Sequence, residues 1–340
     1  MHQRLFRYGI FLGALLISAC VDNTVTGVSA VDPTQISSSF AVLPGAQVVI
    51  NFENPPYTVG TIDGQDDWTS QGAAGSGCAV YDHAVAANTY GYGFGLQTLR
   101  MSNAVTSGCF DGTYSKRLTN AAGEPGSLDG TFSLGGPRQS HFEAQWDFGS
   151  TVPGAEQPGL SVVASPDRGD GSRMSWIQTV DTTAGVDINF FDVQGTSDPA
   201  NFVFTHIITV PRGVAHTIKV TMDFVPGPSN DVVKVYVDGV LKHTGTSWEN
   251  YYRFDTQDVV YPGVPITNRI LYRTGGTAAP ATAGNGFVID ALSLLSSSPV
   301  GPPTNANQCK NGGWKTFNTP RTFRNQADCI LFVWRHRHGG

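Results

Sequence analysis

The segment that decides the fold is residues 216–244, which read HTIKVTMDFVPGPSNDVVKVYVDGVLKHT. From His216 to Phe224, apolar side chains alternate with polar ones, and this period of two predicts a strand with one face in a core. The runs 232–237 and 240–244 flank Asp238-Gly239, a pair typical of a tight β-hairpin turn because both residues accept a positive φ. We therefore predict a half-buried strand followed by a hairpin.

The same kind of signal extends outward from this segment. Further strands are predicted at 47–52, 174–180, 202–210, 268–273 and 286–295, with no convincing amphipathic helix between them. The chain of 340 residues contains 40 Gly and 20 Pro, which argues against a helical bundle. We therefore predict an all-β fold, an antiparallel two-sheet jelly-roll sandwich over residues 45–296.

Charge and composition limit the partners. Charged residues make up 14% of the chain, fewer than a disordered chain would carry, and the formal net charge is -6. A negative balance disfavours nucleic-acid binding.

The first 19 residues predict a signal peptide. Arg4 and Arg7 precede an apolar run from Tyr8 to Ile17 that is too short to span a bilayer. Ile17-Ser18-Ala19-Cys20 resembles the lipobox of bacterial lipoproteins, which implies a lipid on Cys20, although an ordinary cleaved signal followed by a free cysteine is the alternative. We expect residues 20–44 to form a tether and the protein to be lipid-anchored in a bacterial membrane, with the outer membrane or cell surface favoured.

The other end of the chain carries a second unit. Residues 297–307 predict a linker, and residues 308–340 a small basic C-terminal module. If Cys20 carries a lipid, four cysteines remain in an exported chain, where disulfides persist. Three pairings of these four are possible, and sequence proximity favours Cys78 with Cys109 and Cys309 with Cys329.

Several segments carry a family resemblance. The hairpin region 235–252 resembles that of laminin-G-like, concanavalin A-like jelly-roll domains of bacterial secreted proteins. Residues 287–294 are similar to their closing strand, and 52–57 with 60–68 to their opening strand and first loop. The resemblance covers about residues 45–296 and implies a concanavalin A-like sandwich.

The tail has a resemblance of its own. Cys309-Lys310-Asn311-Gly312-Gly313-Trp314-Lys315, followed by residues 323–329, resembles a short disulfide-closed C-terminal module of exported bacterial proteins. No activity is implied by this module.

The acids expected of a glycoside hydrolase are missing from the sequence. Glucanases on this fold resemble one another in a strand with closely spaced acids, whereas Glu occurs here only at positions 53, 124, 143, 156 and 249. Glu143 and Asp147 are the nearest candidates for a catalytic pair. Alginate lyases on the same fold use a Gln-x-His strand with Arg and Tyr partners. In this chain the strand around Gln178 offers Thr179 where that motif requires His.

Two other kinds of site are predicted. Glu53 beside the first strand and Asp290 in the closing strand are hard oxygen ligands that predict a structural Ca²⁺ site, with turn formation as the alternative role. Aromatic rings beside planar polar groups are typical of sugar binding, with burial in the core as the alternative. The candidates for sugar binding are Trp248, Glu249, Asn250, Tyr251 and Tyr252, together with Tyr90 and Tyr92.

These observations favour a non-catalytic surface lipoprotein that binds glycan or mediates adhesion. A polysaccharide-cleaving enzyme on the same fold is the first alternative. A structural envelope protein with a protein partner is the second.

Overall fold

A computed structural model describes residues 45–70, 80–106, 112–124, 138–168, 171–256, 265–274, 277–298, 302–303, 305–310, 313–315, 317 and 321–337. Within these residues the chain is dominated by antiparallel strands. In chain order they are β1 (Ala46–Ile50), β2 (Gly60–Thr61), β3 (His83–Ala87), β4 (Gln97–Met101), β5 (Thr113–Tyr114), β6 (Ala122–Gly123), β7 (His141–Ser150), β8 (Ser161–Asp167), β9 (Trp176–Thr182), β10 (Gly185–Val193), β11 (Phe202–Val210), β12 (His216–Asp223), β13 (Val232–Val237), β14 (Val240–Gly245), β15 (Ile266–Thr267), β16 (Arg269–Arg273) and β17 (Phe287–Ser297).

Two sheets form the sandwich. The larger sheet has the order β14-β13-β12-β7-β17-β4-β3-β2, with β1 paired to β17, and the smaller has the order β11-β10-β9-β8-β16-β5. Their facing sides share one core that includes Phe142, Trp146, Ile177, Phe190 and Tyr272. The predicted all-β jelly-roll sandwich is therefore confirmed.

The segment 216–244 folds as expected. β12 pairs with β13, and β13 pairs with β14, each antiparallel. Asp238 and Gly239 have φ of 52° and 75°, the left-handed values that the tight turn requires. The apolar side chains Ile218, Val220 and Met222 are fully buried, as the alternation predicts.

The first and last strands meet in the larger sheet. The second half of β17 pairs with β1, from Leu292 opposite Ile50 to Ser296 opposite Ala46. The first half pairs instead with β4, and the change occurs where Ala291 has a φ of 48°. Asp290 therefore lies at a bend between two partners.

Two helices were not predicted from the sequence. Helix α1 (Glu249–Phe254) follows β14, and helix α2 (Gln326–Arg337) lies in the C-terminal module. In the described part of the chain, no helix is both long enough and apolar enough to cross a membrane.

The C-terminal module has a small core of its own. Cys309 and Cys329 form a disulfide and are fully buried with Phe317, Phe323 and Phe332 around them. The predicted pairing of these two cysteines is confirmed. Cys20, Cys78 and Cys109 lie outside the described residues, and so do the predicted signal peptide and tether.

Candidate functional site

Four polar side chains line one row across the outer face of the smaller sheet. Arg273 on β16 and Gln178 on β9 both lie opposite Val163 of β8. Gln178 lies opposite Asn189 of β10, which lies opposite His206 of β11. Since directly opposite residues point to the same face of a sheet, these side chains share one surface. We call Arg273, Gln178, Asn189 and His206 the polar row.

A β-bulge places His206 in this row. The register between β10 and β11 shifts between Ile188, which lies opposite Ile208, and Asn189, which lies opposite His206. Without the extra residue on β11, His206 would point to the opposite face, because side chains alternate along a strand. The bulge also leaves Thr209, opposite Asp187, on the same face as His206.

Hydrogen bonds connect the members of the row. Gln178 Nε2 donates to Ser161 Oγ at 2.9 Å, and Asn189 Nδ2 donates to Gln178 Oε1 at 3.5 Å. Asn189 Oδ1 lies 3.0 Å from His206 Nδ1. Asn189 is 5% exposed, whereas the His206 side chain is exposed, so a buried amide orients an accessible imidazole.

A row of aromatic rings runs beside the polar row. Trp176 lies opposite Phe191, which lies opposite Phe204, and Phe204 is 54% exposed. The guanidinium carbons of Arg173 and Arg273 lie 5.9 and 5.7 Å from the Trp176 ring centroid. The surface thus combines flat apolar rings with two cationic groups, a combination suited to an acidic sugar polymer.

The chemistry of the polar row is proton transfer beside an anion site. Guanidinium and amide N–H groups bind and partly neutralise a carboxylate. An exposed imidazole takes up and releases a proton near neutral pH. Arg273 lies four strands from His206, so the amides Asn189 and Gln178, and not Arg273, lie near enough to the imidazole to hold a carboxylate beside it.

The described carboxylates on this face are not arranged for hydrolysis. Asp187 accepts a hydrogen bond from Thr209 Oγ1 at 2.5 Å, and Asp167 is fully buried with Arg269 at 3.3 Å. Asp187 lies opposite Val180 of β9, which lies opposite Ser161 of β8. Ser161 is six residues along β8 from Asp167, so Asp187 and Asp167 are about 20 Å apart along the strand direction. Retaining and inverting hydrolysis require separations of about 5–9.5 Å.

Glu143 and Asp147, the hydrolytic candidates from the sequence, lie on β7 in the larger sheet. Glu143 pairs with Lys219 at 3.6 Å, and Asp147 accepts a hydrogen bond from Thr217 Oγ1 at 2.5 Å. Four residues along a strand span about 13 Å, which is too far for a hydrolytic pair. Their geometry does not support a catalytic role.

The expected sugar-binding cluster around residue 248 is largely buried. Trp248, Glu249, Asn250 and Tyr252 are each 8% exposed or less, and Tyr251 is half-buried. The cluster is therefore not an exposed platform, because α1 and the residue before it turn these side chains inward. There Asn250 Oδ1 accepts from Ser229 N at 3.2 Å, and Glu249 Oε1 accepts from Asn230 N at 2.7 Å.

The second aromatic candidate pair is half-buried and lies away from the polar row. Tyr92 packs over Gly149 of β7, where an added Cβ would lie 2.4 Å from its ring, and its hydroxyl donates to Ser150 O at 2.7 Å. Tyr90 lies in the same loop. Tyr92 therefore covers part of the larger sheet.

Glu53 and Asp290 converge on one loop, as a shared cation site requires. Asp290 Oδ2 accepts from Gly95 N at 3.0 Å, and Glu53 Oε1 accepts from Gln97 N at 3.2 Å. Asp290 Oδ1 is buried and has no hydrogen-bond partner among the described residues. Burial raises the pKa of Asp290, and the nearby charges of Glu53 and Asp147 raise it further. An oxygen left without a donor in an acidic setting fits Ca²⁺.

A separate group of buried acids anchors α1. One carboxylate oxygen from each of Glu124, Asp231 and Glu249 lies within 4.8 Å of the others. Arg253 contacts Glu124 and lies 3.4 Å from Glu249. Burial raises the pKa of Asp231 to about 7, and Glu249 adds to this effect. This group holds α1 to the chain around residues 224–231.

Sequence reasoning considered Gln178 but set it aside because the histidine of the lyase motif is missing, and it did not consider Asn189, His206 and Arg273. The sequence signal for them is weak, since each is a single polar residue in an otherwise ordinary strand. The alternation of Phe202, Phe204 and His206 on β11 was visible, but the partner of His206 depends on the bulge.

Comparisons with known proteins bear on the fold. No protein-family model and no curated protein matches the chain. Among solved structures, alginate lyase Aly36B has a TM-score of 0.39 at 11% identity, covering 74% of this chain and 96% of its own. An endo-1,3-beta-glucanase from Streptomyces sioyaensis has a TM-score of 0.39 at 16% identity, covering 77% and 100%. The marine PL-14 alginate lyase from Aplysia kurodai has a TM-score of 0.38 at 9% identity, covering 63% and 87%.

The expectation of a non-catalytic glycan-binding or adhesive module is corrected by these findings. It rested on the fold resemblance, the predicted tether and the absence of a catalytic motif within one strand, whereas the polar row is assembled from four strands. The similar solved structures named above are two alginate lyases and a glucanase, which corrects that expectation and leaves the polysaccharide-cleaving alternative as a proposal.

Proposed function

We propose that this protein is a lyase that cleaves an acidic, uronate-containing polysaccharide on the outer face of the smaller sheet. One observation carries the proposal: an exposed imidazole, His206, is hydrogen-bonded to the amides Asn189 and Gln178 in the row that also contains Arg273. This set provides a proton acceptor beside carboxylate-binding groups.

The reaction is a β-elimination. The amides of Asn189 and Gln178 would bind the uronate carboxylate and stabilise the negative charge that develops as the neighbouring C5–H bond breaks. Arg273 lies four strands from His206 and would attract the polymer further along the row. His206 would take that proton. The electron pair forms the C4–C5 double bond as the C4–O4 bond breaks, and the departing O4 receives a proton from water. Each cleavage then yields one unsaturated end and one hydroxyl, and His206 returns its proton to the solvent.

The aromatic row would hold the polymer along the sheet. Phe204 and the rim of Trp176 offer flat surfaces on which sugar rings stack, and Arg173 with Arg273 attracts negative charge. Elimination is favoured over hydrolysis because the two carboxylates placed on this face lie too far apart to flank one glycosidic bond.

The direct test incubates the purified chain with alginate, pectate and other uronate polymers, with a neutral 1,3-β-glucan as control. Ultraviolet absorbance detects unsaturated ends, and a reducing-sugar assay detects any cleavage. We expect absorbance to rise with a uronate polymer and to fall at least 100-fold in His206→Gln. His141→Gln, on the outer face of the other sheet, is the matched control and should retain activity. Reducing ends without absorbance would identify hydrolysis and contradict the proposal.

We also propose that the protein is exported and anchored by a lipid on Cys20, which the Ile17–Cys20 pattern supports. This would present the enzyme to polymer outside the cell. Intact-mass measurement on the membrane fraction should show an acylated Cys20 as the first residue. A Cys20→Ser variant should leave the membrane fraction, and an unmodified Cys20 in the wild type would contradict the anchor.

A structural Ca²⁺ held by Glu53 and Asp290 is proposed in addition. It is supported by the convergence of both acids on residues 95–97 and by the buried Asp290 Oδ1. The ion would tie the first strand to the last within the larger sheet.

A further inference from the structure

The C-terminal module concentrates positive charge in a chain that is otherwise acidic. Residues 308–340 contain six Lys and Arg residues and one acid, Asp328, so the module carries +5. The whole chain carries -6, which leaves -11 for residues 1–307. The rest of the chain therefore repels a polyanion, whereas the module attracts one. The cationic side chains that the structure shows as exposed are Lys310, Lys315, Arg321, Arg324 and Arg335.

A cleft on the module lies between two of these arginines. Its volume is about 220 Å³, and it is lined by Arg321, Asp328, Leu331, Phe332, Arg335 and His336. Pockets for drug-sized ligands enclose about 300–1,000 Å³. A cleft below that range suits one unit of a polymer whose chain continues outside it.

Arg321 is held in place at this cleft. Its Nη1 and Nη2 donate to the two carboxylate oxygens of Asp328 at 2.9 and 2.8 Å, and its guanidinium carbon lies 4.8 Å from the Phe323 ring centroid. Nη1 also donates to Thr322 O at 3.3 Å. A guanidinium group has more N–H donors than these contacts use. Since the Arg321 side chain is 48% exposed, its remaining N–H groups can meet a carboxylate from outside.

An exposed aromatic ring adjoins the cleft. Leu331, Trp334 and Arg335 are spaced by three and four residues on α2, so they lie on one face of the helix. Trp334 is 64% exposed. The opposite face of α2 contributes Phe332 and Val333 to the core around the disulfide. The outer face of α2 thus places a flat ring beside a guanidinium group.

We propose that the C-terminal module binds an acidic polysaccharide. Carboxylates of the polymer would lie at Arg321 and Arg335, because a guanidinium group pairs with a carboxylate through two parallel hydrogen bonds. A neighbouring sugar ring would stack on Trp334. The two arginines outnumber Asp328, so the cleft remains positive even with the Arg321–Asp328 pair in place.

Charge complementarity and apolar area both favour a polymer over an anionic membrane. A helix that lies on a bilayer buries a broad apolar face. Among the described residues of the module, the large apolar side chains that are exposed are Leu331 and Trp334. The cations are therefore matched by too little apolar surface for insertion.

Polymer binding by the module does not depend on the proposed lyase function, but a role in holding the substrate does. Because the module and the polar row belong to one chain, a polymer bound by the module is present at a high effective concentration for the polar row. The module would then offset the repulsion between the acidic remainder of the chain and its acidic substrate.

The first measurement is equilibrium binding to immobilised alginate, with immobilised neutral 1,3-β-glucan as the reference. The full chain carries His206→Gln, which removes the proposed base and keeps the polymer intact. In this background, Arg335→Gln and Trp334→Ala should each weaken alginate binding about threefold or more. Trp334→Phe keeps a flat ring and should retain most of the affinity. Both positions are exposed, so the core of the module should remain folded.

Lys242→Gln is the matched control, because it removes the same charge from an exposed position on β14 of the sandwich. It should bind alginate as its parent does. Binding should weaken as salt is raised, since exposed charges are screened. Equal alginate binding by Arg335→Gln, Trp334→Ala and Lys242→Gln would overturn the proposal, and so would equal binding to alginate and the neutral glucan.

The second measurement tests the membrane as the other occupant. Sedimentation with vesicles of phosphatidylcholine and phosphatidylglycerol uses the chain with Cys20→Ser, so that no N-terminal lipid contributes. We expect little binding. Vesicle binding that is lost in Arg335→Gln, together with no binding to alginate, would assign this surface to a membrane and overturn the proposal.

The third measurement uses activity on alginate. Arg335→Gln and Trp334→Ala, in chains that retain His206, should raise the KM about threefold with kcat unchanged. Weakened binding with no lyase activity in any variant would retain the polymer site and reject the lyase function. Weakened binding with an unchanged KM would overturn the role of the module in holding the substrate.

Discussion

Buried His83 makes a specific prediction about stability in acid. The ring is 1% exposed on β3, its Nδ1 is hydrogen-bonded to Thr113 Oγ1, and its Nε2 is buried with no partner among the described residues. Thr113 also contacts Ser70 Oγ at 2.5 Å. A proton on the ring would therefore place a charge in the core, and burial lowers the pKa of His83 from 6.5 to about 3 even though Asp82 and the Ser102 backbone act to raise it.

The sign and size of the effect follow from linkage. Between the unfolded pKa of 6.5 and the folded pKa of about 3, the unfolded chain binds the proton and the folded chain does not. The stability that the neutral ring contributes is therefore present above pH 6.5 and is lost as the pH falls through this window. At about pH 4, the pH lies about 2.5 units below the unfolded pKa of His83. Each unit corresponds to about 1.36 kcal/mol, so the free energy of unfolding falls by about 3 kcal/mol.

Asp231 acts in the opposite direction. Its folded pKa of about 7 lies above the unfolded value of 3.8, so its protonation stabilises the fold as the pH falls. The pH dependence of the wild type alone thus mixes two opposing effects. The difference between wild type and His83→Asn isolates the histidine, because Asp231 is common to both proteins.

The assay is urea unfolding followed by tryptophan fluorescence at about pH 7.5 and about pH 4. At neutral pH, His83→Asn should be less stable than wild type because a smaller side chain leaves a cavity. At about pH 4, the difference in free energy of unfolding between wild type and His83→Asn should shrink by about 3 kcal/mol. Only the wild type has to keep a buried histidine neutral at that pH. A stability difference that stays constant between the two pH values would refute the reasoning.

Three further predictions concern other parts of the molecule. Reduction of Cys309–Cys329 should unfold the C-terminal module and leave the sandwich transition unchanged in a calorimetric scan, since a loop of 20 residues contributes about 3 kcal/mol. Chelation of Ca²⁺ should lower the Tm of the wild type but not of Asp290→Asn, and equal shifts in both would count against the Glu53–Asp290 site. Trp176→Ala should raise the KM for a uronate polymer about tenfold with little change in kcat, and an unchanged KM would remove Trp176 from the binding surface.

Much of the fold could be predicted because alternation is a local property. β11 and β13 begin and end where the pattern indicates, and the Asp238-Gly239 turn needs no tertiary information. Helix α1 could not be predicted in this way. Six residues of mixed polarity carry too little periodicity, and α1 is held by buried contacts such as those of Glu249.

The candidate site depends on register, which local patterns do not determine. Gln178 was set aside because the strand lacks the histidine of the lyase motif, and its partners in the polar row come from strands that pair only after folding. One bulged residue on β11 decides whether His206 faces Asn189 or the opposite side. Likewise, the residues predicted to bind sugar at 248–252 are largely buried, because aromatic composition does not distinguish an exposed platform from the buried side of a short helix.

The most direct test of the account is product analysis by mass spectrometry after incubation with a uronate polymer. The account predicts oligosaccharides that each carry one unsaturated terminal uronate, formed by the wild type and by His141→Gln but not by His206→Gln. Saturated products that carry an added water, or equal product yields from wild type and His206→Gln, would contradict it.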